Sequence, residues 1–156
     1  MKINVFLIIR FLIGCLFIIS GGEKLISPYQ NFLYVFQGYE LLSVPLEKIV
    51  AFVMPWFELI LGVFLVLGLW LKWTLRGVIA MFATFIFVVS QALIRKLPIE
   101  ECGCFGSLLT VPLHILLMLD VIFLILTGLL LFKINYTRFL SLDNIFYEKS
   151  VIENKL

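Results

Sequence analysis

The run VPLHILLMLDVIFLILTGLLLF, residues 111–132, decides the fold. At about 1.5 Å per residue a helix of this length crosses a hydrocarbon core, which takes roughly 20 apolar residues. Asp120 is its only charged residue at neutral pH apart from the titratable His114. Strands of a membrane barrel alternate in polarity over about ten residues, and Phe123-Leu124-Ile125-Leu126 does not. A helix that pairs its own backbone groups is the spanning solution left.

Working outward, three more stretches have the same character: residues 4–22, 48–70 and 74–94. Over 156 residues the chain is 63% hydrophobic and 14% charged, against roughly 45–50% apolar in soluble domains. Its mean hydropathy is +1.15. Twelve Lys+Arg and ten Asp+Glu are too few to coat a soluble surface, and a net charge of +2 gives no footprint for nucleic acid. The expected partner is a lipid bilayer. The reading is all-α: a four-helix transmembrane bundle over residues 1–133, followed by a tail over 134–156. Leu12-Ile13-Gly14-Cys15 resembles a lipoprotein cleavage site, but Arg10 interrupts the apolar run before it and apolar residues continue through Ile19. The first span is therefore read as retained.

Charge between the spans sets an orientation. Lys2, Arg10, Lys72, Arg76, Lys133 and Arg138 have no acidic neighbour, whereas Lys24, Lys48, Arg95 and Lys96 are offset by Glu23, Glu40, Glu47, Glu100 and Glu101. The positive-inside rule then puts both termini in the cytoplasm and the first and third connections outside. The first connection, Glu23 to Glu47, is rich in Tyr and Phe and reads as an interfacial segment, with Ser43 and Pro45 opening the second helix. The tail has a pattern compatible with a helix on the inner surface.

Two constellations could carry chemistry. The first is Cys102-Gly103-Cys104-Phe105-Gly106 in the third connection. Two cysteines one residue apart can bridge only if the residue between bends freely, as Gly103 does. So small a ring is strained, and strained exposed disulfides exchange more readily than they staple. The alternatives are thiols packed in a turn, or a soft pair for copper with His114 as a further ligand. Cys15 reads as a small core residue of the first helix. The second constellation is Arg10, Glu58 and Asp120, charges within spans that should turn inward and find partners. An Arg–carboxylate cluster follows, which either registers the helices, forms a proton path or anchors a quinone-like head group. Pro55 frees a carbonyl near Ala51, and Gly14, Gly62 and Gly68 read as sites of close helix contact.

The chain resembles the MauE/DoxX family of small four-helix membrane proteins, and most of all its MauE branch, over roughly residues 5–132. The resemblance is carried by Arg10 and Gly14, Ser20-Gly21 with Lys24-Leu25, Pro55 with Phe57-Glu58-Leu59 and Gly62, the Cys102–Gly106 motif, and Asp120. It implies a bacterial cytoplasmic membrane protein with Cys102 and Cys104 on the extracytoplasmic side. It also implies a role in extracytoplasmic redox maturation, since MauE-like proteins are linked to making the disulfide-rich small subunit of methylamine dehydrogenase. The resulting expectation is thiol–disulfide exchange with a thioredoxin-like or disulfide-containing partner, either as an oxidoreductase or as its stoichiometric redox partner. A quinone acceptor, as in other four-helix oxidases, is a further possibility. A non-catalytic assembly factor and a copper-handling protein are the competing classes.

Overall fold

The computed structural model describes residues 5–39, 41, 43–96 and 112–134. The Cys102–Gly106 motif and the tail lie outside these. Within them the chain forms α1 (Val5–Ile26), α2 (Tyr29–Gln37), α3 (Val44–Leu67), α4 (Leu71–Arg95) and α5 (Leu113–Phe132). All but α2 are long and apolar enough to cross a membrane, with mean hydropathies of 2.4, 2.4, 2.2 and 2.8 in chain order. Large apolar side chains are exposed on all four, among them Leu12, Phe57, Phe87 and Ile122. Water would penalise such a surface and lipid does not. This is a four-helix membrane bundle.

The four spans form two antiparallel pairs. α1 lies along α3 and α4 along α5, while contacts between the pairs are less extensive. Glycine explains the first pairing. A methyl group at Gly14 would come 2.6 Å from Val66, one at Gly21 2.7 Å from the Leu59 nitrogen, and one at Gly62 2.8 Å from the Ile18 nitrogen. The two backbones therefore touch, as small residues permit in membranes. Gly68 has a different role from the helix contact expected of it. It ends α3 in the left-handed region at φ 69°, its N–H donating to Phe64 O, a conformation that favours glycine at this position. Thr74 then donates to Leu69 O at 2.8 Å and fixes the short turn into α4.

At this turn end the core is Ile13, Phe17, Leu65, Leu71, Leu75, Val78, Phe82 and Leu130. At the other end Tyr39 packs with Val89, Ala92, Leu113 and Leu116. The aromatic first connection contains α2, which lies against the upper part of α3; Tyr29 donates to Lys48 O at 2.9 Å. Ser43 precedes α3 and Pro45 stands in its first turn, as expected from the sequence. A further expectation fails. Cys15 is exposed on the outer face of α1, because the inward stripe is Arg10, Ile13, Gly14, Phe17, Gly21 and Lys24.

Candidate functional site

The polar centre of the bundle begins with a residue that looks like part of a loop. Ser20-Gly21-Gly22-Glu23-Lys24 reads as a helix end, yet α1 continues through it to Ile26. Helical continuation puts Ser20 and Lys24 one turn apart, both directed at α3. Gly21 lets Pro55 and Glu58 approach α1 closely. Lys24 Nζ consequently meets Glu58 Oε1 at 2.7 Å and Oε2 at 2.8 Å, with both side chains 1% exposed. It also donates to Ser20 Oγ at 3.2 Å, and Ser20 donates to Glu58 Oε2 at 3.1 Å. The ammonium lies 5.2 Å from the Phe32 ring centroid and 5.7 Å from that of Phe85.

This arrangement closes on itself. An ammonium has three N–H donors, and three acceptors surround it here. Two charges buried in apolar surroundings are tolerable only with such complete pairing.

Asp120 stands opposite, on α5. It is 6% exposed, and its Oδ2 has no hydrogen-bond partner among the described residues. Between the two walls lies a cavity of about 30 Å³, lined by Leu16, Phe17 and Ser20 of α1, Glu58 of α3, Phe82 and Phe85 of α4, and Asp120 and Phe123 of α5. It thus occupies the seam between the helix pairs. Phe82 contacts Phe17 edge to face at 5.2 Å and stacks on Phe123 at 5.9 Å.

A second cavity of about 30 Å³ lies on the α2 side of Lys24, walled by Phe32, Phe36, Tyr39 and Phe85 among others. Tyr39 is buried there, and its backbone oxygen accepts from Arg95 at 3.4 Å. Burial first, and then the negative charge of Asp120, push its phenol up to about 12.

The structure brings Glu58 and Asp120 to one cavity but leaves Arg10 elsewhere. Arg10 and Lys24 are fourteen residues apart on α1, about 21 Å along the axis. Gly14 faces Gly62 and Gly21 faces Leu59, so Arg10 falls at the level of the α3–α4 turn. It is buried there, with its guanidinium 5.2 Å from the Phe11 ring. The cation beside Glu58 is Lys24, which sequence reading left in the first connection; the signal was the Ser20-x-x-x-Lys24 spacing.

His114 is exposed in the first turn of α5, and among the described residues no three His, Cys, Asp or Glu side chains gather as metal ligands. Cys102 and Cys104 lie outside those residues, but their connection leaves α4 at Arg95 and enters α5 at Leu113. Both flanks are at the Tyr39 end of the bundle.

A family model described as methylamine utilisation protein MauE matches residues 2–133. The chain belongs to the MauE family. The match takes in every helix, so Lys24, Glu58 and Asp120 fall within the MauE region, as do Cys102 and Cys104. No curated protein and no solved structure matches the chain. This member of the MauE family is a multi-pass membrane protein.

Proposed function

We propose that this chain acts in methylamine-utilisation-type protein maturation as a membrane-embedded thiol–disulfide exchanger. Cys102 and Cys104 are the exchanging pair. Membership of the MauE family over residues 2–133 is the observation that carries the reading, because the matched region contains the cysteine pair. The exchange follows ordinary thiol chemistry. A thiolate attacks the opposing disulfide, a mixed disulfide forms, and the second thiolate resolves it. One dithiol is oxidised as one disulfide is reduced, so two electrons change hands and no further oxidant enters the step.

In this reading the membrane is the bacterial cytoplasmic membrane, the third connection faces out, and the partner is a thioredoxin-like or disulfide-containing protein. The charge offset in the first and third connections supports that orientation. The flanks of the connection, Arg95 of α4 and Leu113 of α5, are at the Tyr39 end of the bundle, which agrees with this reading.

Alkylation of native membranes across a glutathione potential series tests the proposal. A pair that titrates reversibly at roughly −180 to −300 mV is the expected result. Thiols that stay reduced at every potential overturn it. Retention of maturation activity by the Cys102→Ser/Cys104→Ser variant would identify an assembly factor instead.

A further inference from the structure

The two ends of the bundle differ in how their cations are answered. At the Tyr39 end Lys24 pairs with Glu58, Arg95 donates to Tyr39 O at 3.4 Å, and α1 and α3 bring Glu23 and Glu47. At the turn end Leu71 and Leu75 share a core with Leu130, so the start of α4 is level with the end of α5. Lys72, Arg76 and Lys133 therefore lie at that end together with the buried Arg10. Among the described residues the carboxylates are remote from it. Glu58 is nine residues before the end of α3 and Asp120 twelve before the end of α5, roughly 14 Å and 18 Å along the helix axes. Lys72 and Arg76 are one helical turn apart and both exposed, and neither forms an ion pair among the described residues.

Apolar and aromatic surface surrounds these two cations. Trp70, Trp73 and Phe132 are exposed, and indole rings favour the boundary between membrane and water. The Arg76 guanidinium lies over the Trp73 ring, 5.0 Å from its centroid. Held flat in this way, it keeps its in-plane N–H donors for another partner, and their fork suits a phosphate group. Deeper along α4 the exposed strip continues through Ala80, Ala83 and Thr84, whose small side chains leave room for a lipid chain. A partner that is anionic at the boundary and apolar beneath it complements this face in both charge and polarity.

We propose that the Lys72–Arg76 face of α4, flanked by Trp70 and Trp73, is a binding site for an anionic phospholipid. Lys72 and Arg76 take the phosphate, and an acyl chain lies along Ala80, Ala83 and Thr84. The site is independent of the thiol chemistry and of the leaflet in which the turn end lies.

The test uses the full chain carrying Trp56→Phe, which leaves Trp70 and Trp73 as its only tryptophans, reconstituted in phosphatidylcholine vesicles. Tryptophan fluorescence is followed as brominated phosphatidylglycerol or brominated phosphatidylcholine replaces the host lipid. Phosphatidylglycerol should quench at a roughly fivefold lower mole fraction or less, the scale of one cation at an anionic surface. Sodium chloride at about 1 M, where screening acts within about 3 Å, should remove most of that difference. Lys72→Gln/Arg76→Gln should abolish the preference, whereas Lys48→Gln/Lys96→Gln removes the same charge at the Tyr39 end and should retain it. Equal quenching by the two lipids would overturn the site. So would a preference that survives Lys72→Gln/Arg76→Gln, or one lost equally with Lys48→Gln/Lys96→Gln. Should the first double variant not fold, the salt series on the parent chain decides, since a preference indifferent to salt contradicts the proposal.

Discussion

The interface between α1 and α3 and the seam between the two helix pairs are built on opposite principles. Along the first, Gly14, Gly21 and Gly62 bring backbone against backbone, and Lys24, Ser20 and Glu58 satisfy one another. Along the second, phenylalanines hold the pairs apart, a cavity is left, and Asp120 Oδ2 lacks a partner among the described residues. One interface is complete without any further group. The other is apolar and leaves a small cavity of about 30 Å³. Buried charges thus differ in the completeness of their hydrogen bonding across one cavity: Lys24 and Glu58 satisfy each other, and Asp120 Oδ2 does not find a partner among the described residues.

The largest effect should come from opening the complete side. Lys24→Met leaves Glu58 as an unpaired buried charge and should cost about 3–5 kcal/mol, measured by denaturant unfolding in mixed micelles. A loss below about 1 kcal/mol would show that water already reaches the pair.

Packing comes next. Gly62→Ala forces a methyl group against the Ile18 nitrogen and the Gly14 oxygen, and should cost about 1–3 kcal/mol. Gly128 has nothing within 4 Å of such a methyl, so Gly128→Ala should stay within about 0.5 kcal/mol. Equal costs at the two positions would erase the contrast between the interfaces.

Tyr39 probes the electrostatics on the seam's side. Its phenol ionises near 10.0 in the unfolded chain and at about 12 in the fold. As pH rises between these values the unfolded state loses the proton first, so the stability present below 10 is progressively lost. Tyr39→Phe should flatten the stability profile in that window, and an unchanged profile would assign the fall to other groups.

The smallest effect belongs to Cys15. Its side chain faces outward, so Cys15→Ala should change stability by less than about 0.5 kcal/mol.

The sequence made the spans legible because membrane helices are long and apolar. It also made Glu58 and Asp120 legible, because a charge inside a span must face the bundle. It concealed Lys24, since Gly21-Gly22-Glu23 ahead of it reads as the end of a helix and a lysine beyond a span reads as a loop charge. Only the fold shows that α1 continues to Ile26 and that Gly21 gives Glu58 access. Cys15 was misplaced for a different reason. In lipid both faces of a helix are apolar, so residues 11–19 carry little periodicity to tell inside from outside. Gly68 could be read as a contact or a cap, and its positive φ decides for the cap.

The pairing of Glu58 with Lys24, and not with Arg10, is the claim on which the site rests. Two double-mutant cycles in the same micelles test it, one with Lys24→Met and Glu58→Met, the other with Arg10→Met and Glu58→Met. The account predicts a coupling of about 2 kcal/mol or more for Lys24 with Glu58, and about 0.5 kcal/mol or less for Arg10 with Glu58. The reverse order would contradict it.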